Sequence, residues 1–208
     1  PHPFMRYKNG KWWAFGHNGN LNKDNLKKLI GPEYLAANPP TVGTSWDDPD
    51  VVDSDLYMLY VLKCIEFNGW NVTLGIAQAI KDITSTDSGA ANFFLTDGET
   101  LWGFRKGNTL YYYTTTGYSA IASQPPDPSQ PGWTALSDYN LIILKRGATP
   151  TIITDIRQLY PLLVDSTFND CTDSADLRAN TANKQDWYES RGGWTGGDPT
   201  LLYLSLIH

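Results

Sequence analysis

Asn9-Gly10 separates "MRY" from "KWWAF", two short runs of which the second is dominated by aromatic residues. Both turn residues tolerate positive φ, which makes Asn-Gly the strongest short-range hairpin signal. Two further turn dipeptides, Asp97-Gly98 and Gly107-Asn108, punctuate "ANFFLT", "TLWGFRK" and "TLYYYTT" in the same manner. "SAIASQ", "YNLIILKRG" and "TPTIITDI" add further strands, the first two separated by the Pro-rich loop "PPDPSQPG". An antiparallel meander is the expected result, preceded by helices.

Those helices have their own punctuation. Asn22 is placed to cap a helix over "NKDNLKKLIG", where Leu26, Leu29 and Ile30 share a face and Gly31-Pro32 ends the run. Residues 32–50 carry four prolines and read as a long loop. A second helix is predicted over residues 54–67, capped by Ser54, with Leu56, Leu59, Tyr60, Leu62 and Ile65 forming a wide apolar stripe. A third is predicted over residues 72–83. "FGHNGN" then reads as the end of an aromatic strand turning toward the first helix. The chain is expected to be one α+β domain over residues 1–208.

Composition excludes several partners. The 208 residues include 41% hydrophobic and 13% aromatic residues but only 18% charged ones, so a sizeable core can form. A net charge of −6 argues against nucleic acid or an anionic membrane as partner. No apolar run approaches the roughly 20 residues of a membrane helix. Cys64 sits in an apolar run and reads as a buried thiol, and Cys171 follows "FND" in a polar stretch. Two cysteines so far apart make no zinc site, and the reading calls for no metal and no cofactor. Low charge, many aromatics and the sequon Asn71-Val72-Thr73 suit a secreted protein.

The order of short motifs is more specific than any one of them. "PHPF", an aromatic strand into "HNG", "DSD" at a helix start, "NFFLTDGETLWGFR", "SAIASQP" and a Trp before "LIIL" resembles the class II glutamine amidotransferases, members of the N-terminal-nucleophile hydrolases. The resemblance runs over residues 1–144. It implies an αββα sandwich with antiparallel sheets, a glutamine-like amide substrate and cleavage through an acyl-enzyme. By resemblance, Asn18 and Gly19 hold the oxyanion, through a side-chain N–H and a backbone N–H aimed at one point. A turn that needs Asn and Gly only for positive φ is the competing explanation. Asp53 would bind the substrate α-ammonium, or it could simply favour the positive end of a helix. Asp55, where the family commonly has Glu, is secondary. His2 and His17 read as packing and hydrogen-bonding residues of the site, Asn92, Asp97 and Gly98 as strand and turn residues, and Ser123 and Gln124 as support for its wall.

The sequence departs from the family at its start. The family's nucleophile is an N-terminal Cys whose α-amino group serves as base, whereas residue 1 is Pro. Cys171 is a displaced candidate, although "CTDSADL" lacks the apolar strand expected after it. "TLLYLSLIH" reads as a buried strand, and residues 166–208 as a displaced N-terminal part of the family fold, with 171–208 preceding 1–170 in the natural order. Alternatively, a second chain or segment carries the nucleophile, or the domain survives as an inactive binding or scaffold module. Trp12, Trp13, Trp46 and Trp102 would suit stacking on a ligand, with core packing the better account for at least half of the aromatics.

Overall fold

The Asn9-Gly10 turn forms as expected, with φ of 53° and 75°. It joins β1 (Phe4–Lys8) to β2 (Lys11–Gly19) in a hairpin closed by Lys8 opposite Lys11. This computed structural model describes residues 2–159, so the expectations for Cys171 and for residues 166–208 lie outside the described residues. Four α-helices follow: α1 (Lys23–Ile30), α2 (Pro32–Ala37), α3 (Asp53–Phe67) and α4 (Val72–Thr86). Then come β3 (Ala91–Thr96), β4 (Thr100–Phe104), β5 (Tyr111–Thr114), β6 (Ser119–Ala122), β7 (Thr134–Ala135), β8 (Leu141–Lys145) and β9 (Thr151–Ile153).

The strands divide between two sheets. One has the order β1-β2-β3-β4-β8-β9 and the other β6-β5-β7, with every pairing antiparallel. The simple meander is therefore corrected at Gly107. There the chain leaves the large sheet, builds the small one, and returns as β8 beside β4. Period-two alternation sorts the side chains of the large sheet. Trp13, Phe15, Phe93, Leu95, Trp102, Phe104 and Leu141 face the helices, while Phe94, Leu101, Ile142 and Leu144 pack with Leu110, Ile121 and Leu136 toward the small sheet. Gly103 brings the sheets close, since a Cβ there would meet Ile121 Cδ1 at 2.5 Å.

The helix termini show which local signals won. Asn22 caps α1, its side chain accepting from the amides of Asp24 and Asn25. Gly31, at φ 78°, ends α1 and also opens α2, with Pro32 at the first helical position. The stretch 32–50 is thus partly helical. Helix α3 starts one residue early, at Asp53, with Val52 as its N-cap, so Ser54 is not the cap. Nor does α3 show only a stripe to the core: every residue from Ser54 to Ile65 is buried. Its one lysine, Lys63, donates to the carbonyls of Leu29 (3.2 Å) and Ile30 (2.9 Å), so the buried ammonium meets the negative end of α1.

Candidate functional site

Strand β2 does not turn at "HNG". It stays in register with β3 to its end, Asn18 opposite Asn92 and Gly19 opposite Ala91, and neither Asn18 nor Gly19 has positive φ. Positive φ therefore does not explain these two residues. Gly19 is required by crowding instead, because a Cβ would lie 1.9 Å from the Ala90 carbonyl oxygen and 2.6 Å from His17 Nε2.

The ladder also fixes where the Gly19 amide points. Asn20 N–H donates to Ala90 O at 3.0 Å, so residues 20 and 90 form a hydrogen-bonded pair. In an antiparallel ladder such pairs alternate with non-bonded ones. Gly19 and Ala91 are then a non-bonded pair, and the Gly19 N–H is turned away from β3, to the β1 side. It lies beyond the last ladder pair of the hairpin, Phe4 with Phe15. Among the described residues, this backbone donor at the strand end has no acceptor.

Asn18 is half-buried beside it, held by Asn108. Asn108 Nδ2 donates to the Asn18 backbone oxygen at 3.2 Å and to its Oδ1 at 3.1 Å. The Asn18 Nδ2 has no acceptor among the described residues. Asn108 is itself anchored, its carbonyl accepting from Asn92 Nδ2 (3.0 Å) and Arg105 Nε (2.9 Å). Asn92 is buried and has all its side-chain polar atoms engaged: Oδ1 accepts from Lys106 N, and Nδ2 donates also to Thr109 O. Thr109 Oγ1 in turn donates to Ser123 O at 2.8 Å, which ties Ser123 to this network. Gln124 is exposed.

On the helix side of the same strand end stands Asp53, the first residue of α3. Its Oδ2 accepts the Leu21 N–H at 2.7 Å, which joins α3 to the segment just after Gly19. His17 fills the space between, fully enclosed, with its ring edge against Tyr57 at 5.1 Å. His17 Nε2 lies 3.3 Å from the Ala90 carbonyl, which can only accept, so Nε2 bears the proton. Burial depresses the His17 pKa and outweighs the opposing pull of Asp53, so the ring is neutral. Nδ1 then accepts from Ser54 Oγ at 3.1 Å, and its 3.7 Å approach to Asp53 Oδ2 is not an ion pair. The Ser54 proton being committed to His17, the 3.4 Å contact from Ser54 to Asp53 Oδ1 is weak, and Oδ1 has no other hydrogen bond among the described residues. An open cleft of about 450 Å³ adjoins this carboxylate, lined by Asn20, Leu21, Lys23, Pro49, Val52 and Asp53 among others.

The comparisons with known proteins bear on this constellation. The sequence model for the glutamine amidotransferases class-II matches residues 1–124, well over half of the chain. The chain belongs to the class II glutamine amidotransferases. No curated protein matches it. Among solved structures, it is similar to a glutamine aminotransferase class-II domain protein from Silicibacter pomeroyi, with TM-score 0.51 and 19% identity over 73% of this chain and 70% of that one. It is also similar to the glutamine phosphoribosylpyrophosphate amidotransferase of B. subtilis, with TM-score 0.51 and 18% identity over 73% of this chain and 31% of that one. At such identities these structures speak to the fold alone: a mixed α+β domain resembling amidotransferase domains.

Within this amidotransferase domain, the remaining expectations fall on both sides. Asp97 and Gly98 make the turn before β4, Asp97 Oδ1 accepting the amides of Glu99 and Thr100. Asp55 is structural, paired with Arg6 at 2.7 Å and accepting from the Thr41 amide and hydroxyl. His2 packs edge-on against Phe4. Cys64 is fully buried inside α3. Trp13 and Trp102 are core residues, Trp46 is half-buried, and Trp12 is exposed. Among the described residues, no cluster of His, Cys, Asp and Glu could hold a metal, and no helix is long and apolar enough to cross a membrane. The sequence reading did not single out Asn108 or Ser54 as site residues. Asn108 was visible only as half of a Gly-Asn turn.

Proposed function

We propose that this domain cleaves the side-chain amide of a glutamine-like substrate, with Asn18 Nδ2 and the Gly19 N–H as the oxyanion hole. The observation that carries the proposal is the pair of adjacent donors without acceptors among the described residues, Asn18 held by its oxygen and Gly19 turned out of the ladder at one strand end. As a thiolate attacks the amide carbon, charge moves onto the carbonyl oxygen, and two preoriented N–H groups stabilise it without reorganising. Collapse of the tetrahedral species releases ammonia and leaves an acyl-enzyme, which water hydrolyses. Asp53, its Oδ2 held by Leu21 N–H, presents Oδ1 to the substrate α-ammonium. Buried Cys64 cannot serve as nucleophile, so the thiol comes from Cys171 or from a second chain or segment beyond these 208 residues. The helix layer and the two packed sheets support assignment to the αββα sandwich of the N-terminal-nucleophile hydrolases.

A glutamine-analogue chloroketone tests the proposal. Stoichiometric labelling that L-glutamine blocks, and that Asp53→Ala weakens, is expected, and peptide mapping would identify the thiol. Labelling indifferent to glutamine would refute the proposal and leave the second reading, an inactive binding domain. That reading draws on the surface aromatics Tyr7, Trp12 and Tyr118, which are more than half exposed.

A further inference from the structure

The two candidate donors are not equally secure. The Gly19 amide is fixed by the backbone, but an asparagine side chain can rotate and present its oxygen, which would repel the developing charge. Something must set the Asn18 amide the right way round. The geometry points to Asn108 as that positioning residue, an inference that rests on the oxyanion reading above. One terminal atom of Asn108 faces the Asn18 backbone oxygen at 3.2 Å, and a backbone oxygen only accepts, so that atom must be the NH₂. The same NH₂ lies 3.1 Å from the Asn18 side chain, so the atom it meets there must be the Asn18 oxygen. Nδ2 is thereby turned outward.

The backbone of Asn108 does not depend on Asn18 for its place. Its carbonyl is gripped by Asn92 and Arg105, and Arg105 also donates to Leu136 O at 2.5 Å. The amide of Gly107, the preceding residue, donates to Asp138 at 3.1 Å. The 105–109 turn is thus a rigid bracket reaching across β3 to the end of β2. One asparagine orients another, and the bracket extends to buried Asn92. Asn108 touches no substrate in this scheme; it acts through Asn18.

Asn108→Asp reverses the polarity with almost no change of shape. A carboxylate cannot donate, so the Asn18 amide would rotate to offer its NH₂ to the new carboxylate and turn its oxygen to the reacting centre. The expected result is a fall in kcat of about 10²–10³-fold, comparable to loss of one oxyanion donor, with KM for glutamine little changed. The deficit should shrink toward about pH 4, where a protonated carboxyl regains a donor. Asn108→Ala should show no such acid recovery. A readout independent of activity is the solvent exchange of the side-chain NH₂ groups by ¹⁵N NMR. In the wild-type chain the Asn108 NH₂ should be protected and the Asn18 NH₂ unprotected, with protection passing to Asn18 in Asn108→Asp. A protected Asn18 NH₂ in the wild-type chain overturns the inference without needing any variant to fold. An Asn108→Asp rate equal to wild type, where Asn18→Ala is impaired, overturns it as well. If Asn18→Ala leaves hydrolysis untouched, the oxyanion reading fails, while the exchange data still decide how the amide is held.

Discussion

Replacing Gly19 by Ala adds one methyl group to the most crowded point of the site. The new Cβ would lie 1.9 Å from the Ala90 carbonyl oxygen, about 1.5 Å short of an ordinary contact at 3.4 Å, and 2.5 Å from the Ala90 carbonyl carbon. The obstacle is backbone, so no rotamer change relieves it. Either β2 peels away at its end or the 89–90 segment retreats. Both routes threaten the same acceptor, since Ala90 O takes the Asn20 amide at 3.0 Å and His17 Nε2 at 3.3 Å. Forced overpacking costs about 1–3 kcal/mol, and each of the two hydrogen bonds contributes about 1 kcal/mol. We therefore expect a loss of about 3 kcal/mol, read as a fall in Tm of about 10 °C. Urea and thermal unfolding followed by circular dichroism measure this directly. Gly117→Ala is the control, because a Cβ there meets nothing within 4 Å and Gly117 has no positive φ; it should stay within about 0.5 kcal/mol of wild type. A Gly19→Ala protein as stable as that control would refute the crowding argument.

Two other outcomes follow from the same geometry. His17 is held neutral by burial, with its folded pKa below the unfolded value, so the unfolded chain binds the extra proton as pH falls. Its contribution is therefore complete above about pH 6.5 and declines below it, by up to about 1.4 kcal/mol per pH unit until the folded pKa is reached. Urea midpoints at pH 8 and pH 5 should differ less in His17→Asn than in wild type, and an equal difference would contradict a neutral buried ring. Gly75→Ala would place a Cβ 2.4 Å from the Ile65 Cα where α4 crosses α3, and should cost about 1–3 kcal/mol in chemical denaturation. A neutral result would mean that the helices can separate freely.

Much of this fold was legible because its local signals were strong and consistent. Asn9-Gly10 and Asn22 act through atoms within a few residues, so the hairpin and the start of α1 could be read directly. What escaped depends on distant partners. Strands β5 and β6 could be seen, but nothing local says that they leave β4 for a sheet of their own, which packs Ile121 against the distant Gly103. Ser54 looked like a cap because of its neighbours, yet its hydroxyl serves His17, 37 residues away. The Pro-rich stretch hid α2 because Gly31 both ends one helix and opens the next.

The site was legible in a different way. Motif order pointed to Asn18, Gly19 and Asp53, but not to the reason for their placement. "HNG" looked like a turn because Asn and Gly usually serve turns, whereas here the strand continues and the glycine answers a steric demand from Ala90. Asn108 lies 90 residues from Asn18, and a Gly-Asn pair between two strands has a sufficient local explanation in turn formation. Only the three-dimensional contact reveals its second task.

In this scheme the Asn18 amide stabilises charge developing on a substrate carbonyl. Its most direct test is steady-state ammonia release from L-glutamine by the wild-type chain and by Asn18→Ala. With the thiol present, in the chain itself or supplied by its partner, wild type should hydrolyse glutamine measurably and the variant should show a kcat about 10²–10³-fold lower, with KM nearly unchanged. Equal kcat values in the two proteins would contradict it.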